Sequence, residues 1–157
     1  QPQYNMLWRV IESEVVPASE ELGIGQIVWS PIAQGVLTGK YKRGAAVPAG
    51  SRATDKSGGA DFVNGWLREE VLEAVEKLEP IAQDMNLTMS QLAIAWVLSN
   101  PNVSAAIVGA SRPDQITENA KAAGLTLPED VLSSIDYALG DLVKTDPALT
   151  VSPESRP

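Results

Sequence analysis

Two residue types that carry much of protein chemistry are missing from this chain of 157 residues, which contains no cysteine and no histidine. Without cysteine there are no disulfides and no thiol chemistry. Cysteine and histidine are also the usual ligands of zinc and copper, so only carboxylate sites for hard cations remain. Since histidine is also the usual general base of nucleophilic catalysis, we expect no transition-metal site and no catalysis of that type.

Basic residues are also scarce: 12 lysines and arginines stand against 20 aspartates and glutamates, for a net charge of −8. This sign argues against non-specific binding of nucleic acid, which needs a positive field. The sequence has no run of about 18 apolar residues and no secretory signal pattern, so we predict no membrane insertion. Apolar residues make up 44% of the chain, enough for the core of one domain, and we expect a cytoplasmic protein.

The apolar pattern alternates between helices and short buried strands. Strands are predicted in "GQIVW" and "VSAAIV", with a possible strand stub at residues 1–4. Helices are predicted over residues 11–22, 67–85, 88–100, 113–124 and 127–139. Strands that are separated by helices indicate an α/β fold with parallel strands.

So few strands make a poor free-standing sheet. The sequence also opens on "QPQYNMLWR" without an initiator methionine, so we expect a chain that is incomplete at its N-terminus. Residues 1–140 are predicted to form the folded part. Residues 141–157 contain three prolines and little periodicity, which predicts a mobile C-terminal tail.

The stretch "IVGASRPDQITEN" reads as a strand end, a small turn and a helix that opens at Pro113. A helix start presents unpaired backbone N–H groups and a partial positive charge, which favour an anion. Ser111 and Arg112 add a hydroxyl and a guanidinium at the same place. Capping alone does not need so many donors, so this turn is a candidate anion site.

Residues 33–60 form a second unusual segment, rich in glycine, alanine and serine. It is too long for a plain connection, and loops of this kind are either functional or disordered. It also holds a large share of the basic residues of this acidic chain: Lys40, Lys42, Arg43, Arg52 and Lys56. This concentration is a second indication of an anionic ligand.

The expected position of the site follows from the fold class, because ligands of α/β proteins bind beyond the C-terminal ends of the strands. Three segments meet this condition: residues 1–5, 29–52 and 109–119. They offer an aromatic plane, a basic loop and an anion-binding helix start. Together they predict a planar ligand that carries several phosphates.

The paired motifs "WSPIAQGVLTGKY" and "GASRPDQITEN" resemble the C-terminal half of the aldo-keto reductases, especially the branch with the β subunits of voltage-gated potassium channels. The resemblance extends from Gln1 to about Gly140. It implies the C-terminal portion of a (β/α)8 TIM barrel, incomplete as given, that binds NADP(H) at its C-terminal face. Residues 1–140 would be the cofactor-binding half and residues 141–157 the tail.

The resemblance also implies roles for residues of the first two segments. Gln1 matches the glutamine that hydrogen-bonds the nicotinamide carboxamide, and Trp29 matches the aromatic residue that stacks on the nicotinamide ring. Lys40 and Arg52 match basic residues that close over the phosphates. The loop that lines the pyrophosphate, largely through its backbone, is matched by Ser30, Ile32, Ala33 and Gln34.

The third segment matches the part of the family site that holds the adenosine end of the cofactor. Gly109, Ser111 and Arg112 match the turn around the 2′-phosphate. The helix positions that hold the adenine are matched by Gln115, Glu118 and Asn119. The resemblance therefore identifies the predicted anion as the 2′-phosphate of NADP(H).

The catalytic residues of the family have no match here. Family catalysis uses an Asp, a Tyr, a Lys and a His on earlier strands, whereas this chain has no His and its Tyr and Lys residues lie in segments that match the later half. We therefore predict no catalytic residue in this chain, although the intact protein would reduce aldehydes or ketones. The alternatives are a regulatory or interaction subunit like the channel β subunits, and a half-barrel with a role in assembly alone. The predicted partner is the N-terminal half-barrel or a second copy of the chain.

Each matched residue also has a plainer interpretation. Trp29 at the end of a buried strand is typical of a core residue, and Ser111 is typical of a helix cap. Charged loop residues such as Lys40 and Arg52 are usually solvated. Glu118 and Asn119 would then simply face water. Only the joint occurrence of these residues in one order favours the cofactor site.

Overall fold

The computed structural model describes residues 1–150, and residues 151–157 lie outside the described part. Within the described residues two strands are formed, β1 (Gln26–Trp29) and β2 (Val103–Ile107). The α-helices within residues 1–150 are, in chain order, α1 (Val15–Glu21), α2 (Gly59–Asn64), α3 (Glu69–Glu76), α4 (Leu78–Asp84), α5 (Met89–Leu98), α6 (Pro113–Ala120) and α7 (Glu129–Leu139). Short 3-10 helices cover Ala33–Thr38, Arg52–Thr54, Gly140–Leu142 and Pro147–Leu149.

The two strands pair in parallel, and the pairing runs from Gln26 opposite Val103 to Trp29 opposite Ile107. Gln3 forms a parallel bridge to Trp29 on the other side of β1, so the predicted stub adds a short third element. The predicted alternation of helices with parallel strands is confirmed. That the sheet is part of a barrel stays a prediction.

Helix α5 is the centre of the core, because its residues 91–97 are all buried. A helix that is apolar on every side belongs inside a protein. Its start is fixed by the predicted capping box: the Gln91 N–H donates to Thr88 Oγ1 at 3.2 Å, and the Thr88 N–H donates to Gln91 Oε1 at 3.0 Å. This prediction is confirmed.

Prolines move the boundaries of two predicted helices. The helix predicted over 11–22 begins at Val15, because a proline is tolerated only in the first turn and Pro17 therefore lies there. The helix predicted over 67–85 is two helices, α3 and α4, that meet at Lys77. Pro80 causes the break, since it cannot donate a hydrogen bond to the preceding turn.

Turns replace regular structure at two other places. The segment 33–60, predicted as one loop, contains two 3-10 helices and the start of α2. The helix that opens at Pro113 ends at Ala120, and turns continue to Gly124, whose φ of +79° suits glycine.

Part of the predicted tail is bound to the N-terminal segment. The Lys144 N–H donates to the Leu7 carbonyl at 2.9 Å, and the Arg9 N–H donates to the Lys144 carbonyl at 2.7 Å. Residues 140–150 therefore run along the domain and include two of the 3-10 helices. The mobility of the tail stays a prediction, and its residues 151–157 lie outside the described part.

The capping box makes a stability prediction. Thr88→Ala should lower the free energy of unfolding by about 1 kcal/mol, because it leaves the Gln91 N–H without its partner. Thr117→Ala is the control, since this exposed hydroxyl only donates to the Pro113 carbonyl one turn earlier in α6. Urea unfolding followed by circular dichroism measures both variants. An equal loss in the two would contradict the role of the cap.

The second face of the sheet makes a prediction about assembly. Ile27 and Ile107 are 47% and 45% exposed, and alternation along the paired strands places them on one face of the sheet. Since buried apolar surface contributes roughly 25 cal/mol per Å², we expect the chain to associate through this face. Light scattering during size-exclusion chromatography should give a mass above 16.7 kDa.

A pair of matched variants tests that assignment. Ile27→Asp should weaken the association, whereas Leu22→Asp should not, because Leu22 is exposed at the end of α1 and lies outside the sheet. A monodisperse wild-type species of 16.7 kDa that unfolds cooperatively at micromolar concentration would contradict the prediction.

Candidate functional site

The three segments that the sequence selects begin at one edge of the sheet. Since β1 and β2 are parallel, their ends at Trp29 and Ile107 lie side by side. The N-terminal segment joins them, because the Trp29 N–H donates to the Pro2 carbonyl at 3.0 Å and the Tyr4 N–H donates to the Trp29 carbonyl at 3.2 Å. Gln1 precedes this pairing and is exposed.

Trp29 has its backbone fixed and its side chain open. The ring is 37% exposed and lies outside the buried core, which argues against the plain core interpretation. Backbone pairing on both sides of the strand fixes the direction of the side chain. An exposed, fixed indole at a strand end is a suitable surface for stacking a planar ligand.

The turn that follows β1 is held in an unusual backbone conformation. Ser30, Ala33 and Gln34 have φ values of +61°, +46° and +58°, which residues other than glycine adopt at a cost. Such strain concentrates at functional sites. Ile32 is half-buried against the core and Ala33 is buried, so their side chains face inward and only their backbone is available to a ligand.

Polar side chains connect this turn to the basic loop. The Gln34 Nε2 donates to the Ser30 hydroxyl at 2.8 Å, and the Arg52 guanidinium donates to the Gln34 side-chain oxygen, Oε1. The Lys40 ammonium lies against the turn, because a Cβ at Gly35 would be only 2.7 Å from the Lys40 Nζ. Two cations thus lie at the turn, and their contact with the phosphates stays a prediction.

Two other cations of the basic loop lie elsewhere. The Lys42 ammonium pairs with Glu79, and the Arg43 Nε pairs with Glu76 at 3.1 Å. Both partners belong to the helical region after the loop, so these cations tie the loop to α3 and α4. They are therefore stabilising contacts of the loop and not part of the candidate site.

The turn before α6 satisfies its own polar groups. The side-chain oxygen of Gln115, Oε1, accepts from the Ser111 N–H at 2.8 Å, the Ser111 hydroxyl at 3.2 Å and the Arg112 N–H at 3.3 Å. The Arg112 Nε pairs with Asp114 at 3.2 Å, and this contact keeps the pKa of the Asp114 carboxyl below its ordinary value. An anion at this turn would take over donors that Gln115 and Asp114 now occupy.

The remaining residues of the third segment have different surroundings. Gly109 is exposed, and the Glu118 carboxylate pairs with Lys121 at 2.6 Å. Asn119 is half-buried and borders an apolar cavity of about 410 Å³ between β2, α5 and α6. Gln115, Glu118 and Asn119 stand at positions i, i+3 and i+4 of α6, which are neighbours on a helix surface, and their adenine role stays a prediction.

Ser51 gives an independent test of whether the site fits a phosphate. Its hydroxyl, next to Arg52 in the chain, is buried and has no hydrogen-bond partner within the described residues. A buried hydroxyl without a partner is costly, and beside Arg52 it is able to donate to a phosphate oxygen. Together with the two cations at the strained turn, it fits the phosphates of the cofactor that the resemblance implies.

Sequence reasoning missed three residues of this region: Asn5, Gly35 and Ser51. Asn5 has a signal, since it is a polar residue inside the apolar run "YNML". Gly35 has the signal of glycine in a turn, although only the structure reveals the lysine above it. Ser51 resembles any other serine of a polar loop, so no local signal marks it.

Neither a metal-binding cluster nor a membrane-spanning helix is present in residues 1–150. In this range no group of three or more acidic or other metal-ligating side chains is arranged to hold a metal ion. The helices of this range are all too short or too polar to cross a membrane.

Comparison with known proteins gives relatives of two kinds. A probable voltage-gated potassium channel subunit beta of Arabidopsis thaliana is 49% identical over 123 residues, which are 78% of this chain and 37% of the relative. A putative subunit of the same kind from Schizosaccharomyces pombe is 42% identical over 88% of this chain and 41% of its own length. The L-glyceraldehyde 3-phosphate reductase of Escherichia coli O157:H7 is 35% identical over 90% of this chain and 41% of its own length.

A solved structure supports the fold. The glycerol dehydrogenase of Gluconobacter oxydans superposes with a TM-score of 0.72 over 99% of this chain and 45% of that enzyme, at 24% sequence identity. This likeness concerns the fold alone. The chain spans 37% to 41% of the length of the curated relatives described above.

The family model of the aldo/keto reductases matches residues 1–139. This match takes in the edge of the sheet, the strained turn after β1 and the turn before α6. It also covers most of the described chain, and the relatives named above agree with it. The chain belongs to the aldo/keto reductase family.

Proposed function

We propose that this chain is the NADP(H)-binding part of an aldo/keto reductase. The observation that carries the proposal is the connection of Ser30, Gln34 and Arg52 by hydrogen bonds at the strained turn. This turn and the candidate anion turn before α6 follow neighbouring strand ends, because β1 and β2 end side by side. Membership of the family supports a nicotinamide cofactor at this edge.

Each part of the site has a separate task in this proposal. The turn after β1, with Lys40 and Arg52, holds the pyrophosphate through backbone groups and positive charge. Ser111 and Arg112 hold the 2′-phosphate, and the Trp29 ring orients the nicotinamide by stacking on one face. When bound, the cofactor supplies a hydride. The task of this chain is to fix the position from which the hydride leaves.

The intact protein would reduce aldehydes or ketones to alcohols. In this proposal the chain is the C-terminal portion of a TIM barrel, and the proton donor and its partners come from the N-terminal half or another chain. The curated relatives, which are more than twice as long as their matches to this chain, support that division. The cytoplasm is the proposed location, since a cell keeps its pool of NADP(H) inside.

A second candidate is an accessory subunit that keeps the cofactor site for regulation. It is supported by the printed names of the relatives that are 49% and 42% identical, both of them potassium channel β subunits. The two candidates differ in the part of the protein that would carry the catalytic residues. An intact protein with the full set of Asp, Tyr, Lys and His would favour the enzyme.

The candidate 2′-phosphate turn makes a prediction about cofactor choice. Calorimetry should give tighter binding of NADPH than of NADH, because only NADPH has the phosphate that Ser111 and Arg112 would contact. Arg112→Ala should weaken the binding of NADPH by roughly tenfold, as for the loss of a charge-assisted contact. The binding of NADH should not change.

Arg68→Ala is the matched control for this variant. Arg68 is also an exposed arginine that pairs with an acidic residue two positions later, at 2.9 Å from Glu70, but it lies at the start of α3. It changes the net charge equally and should leave NADPH binding unaltered. Equal affinity of the wild type for the two cofactors would overturn the assignment of this turn.

The chain alone should not reduce carbonyl compounds with NADPH. The family reaction needs a phenol near the cofactor, whereas the Tyr4 hydroxyl donates to Glu12 at 2.6 Å and burial raises its pKa. Of the other two tyrosines, Tyr137 lies on α7 and is almost fully exposed, and Tyr41 is buried in the core with its ring beside the Lys40 ammonium. Loss of NADPH absorbance with an aldehyde substrate is the assay. Saturable, heat-labile oxidation of NADPH by the pure chain would contradict the prediction.

A further inference from the structure

Asn5 is a buried polar residue to which the proposed function gives no task. Its side chain has no solvent exposure, and it directly follows the segment that pairs with Trp29. A polar side chain inside a core is retained at a cost unless its hydrogen bonds are made. The partners of Asn5 therefore indicate what it does.

The Asn5 amide joins two separate turns. Its Oδ1 accepts from the N–H groups of Leu7 and Trp8, each at 3.0 Å, and its Nδ2 donates to the Ser30 carbonyl at 3.0 Å. The orientation of the amide is unambiguous, because two N–H donors need an oxygen and a carbonyl needs a donor. The Oδ1 of Asn5 is thus bound within its own turn, while its Nδ2 holds the Ser30 carbonyl.

In the turn after β1, Ser30 is the residue whose backbone most needs a hydrogen bond of this kind. It has a φ of +61° and precedes Pro31, and a following proline restricts the backbone further. Its carbonyl also accepts from the Ala33 N–H at 2.9 Å, and its hydroxyl accepts from Gln34. The conformation of the whole turn therefore depends on the orientation of the Ser30 peptide.

We propose that Asn5 is a positioning residue for the pyrophosphate turn. It touches no ligand and acts through Ser30, by holding residues 30–34 in the conformation that presents the backbone and Arg52 to the cofactor. The inference rests on the proposed function. It separates the two ends of the site, because none of the hydrogen bonds that Asn5 forms within the described chain goes to residues 109–119.

Asn5→Asp tests this separation. At pH 8 the carboxylate keeps both acceptor contacts and nearly the same volume but has no donor for Ser30. The matched control is Asn102→Asp, since Asn102 is also buried and its Nδ2 donates to the Ile24 carbonyl at 2.9 Å, near the opposite end of β1. The probes for calorimetry with the 157-residue chain are NADPH and adenosine 2′,5′-bisphosphate, which lacks the pyrophosphate and the nicotinamide.

The expected result is a selective loss. Asn5→Asp should weaken NADPH binding by roughly three- to tenfold, the effect of one hydrogen bond, and leave the binding of the bisphosphate unchanged. Asn102→Asp should change neither. Without ligand, hydrogen exchange should accelerate in residues 30–37 of Asn5→Asp, which a general loss of stability would not confine to that turn.

The wild type supplies a readout that does not depend on the folding of a variant. If the turn is coupled to Asn5, NADPH should slow hydrogen exchange at Leu7 and Trp8, whereas the bisphosphate should not. Equal weakening of both probes by Asn5→Asp, unchanged NADPH binding, or no protection of these amides would each overturn the inference. Failure of the wild type to bind either probe would instead overturn the proposed function.

Discussion

The parallel pairing of β1 with β2 is the interaction on which the rest of the structure depends. Parallel strands end at the same edge, so the pairing of Trp29 with Ile107 brings together the turns that follow the two strands. A parallel pair also needs a long crossover, and here the crossover contains α5, the helix at the centre of the core. One strand pairing therefore fixes both the core and the position of the candidate site.

Hydrophobic packing alone cannot hold the turn after β1, because packing has little directionality and the turn contains left-handed residues. Directional hydrogen bonds hold this turn from both sides. Asn5 donates to Ser30 from the core, and Arg52 donates to Gln34 from the loop. A polar group inside the core and a charge outside it therefore act on one strained turn. This arrangement explains why a domain with a mostly apolar interior keeps a buried asparagine.

The predictable parts of this structure are those with local causes. The capping box at Thr88, the helix that opens at Pro113 and the parallel strands follow from neighbouring residues, and these predictions are confirmed. The division of one predicted helix at Pro80 also had a local signal, which the apolar periodicity outweighed. The partners of the loop cations had none, since Lys42 and Arg52 are alike in sequence, yet one pairs with Glu79 and the other with Gln34. Which partner each cation contacts depends on the three-dimensional path of the crossover between the two strands.

The contact of Lys144 with Leu7 and Arg9 has a consequence for the order of folding. It joins residues near opposite ends of the described chain, so most of the chain must be arranged before this contact forms, and contacts between distant residues form slowly. During synthesis, the segment that contains Asn5 leaves the ribosome well before Lys144 does. The segment that contains Asn5 is thus synthesised early, whereas its backbone partner Lys144 is synthesised late. The candidate site is therefore completed late in folding.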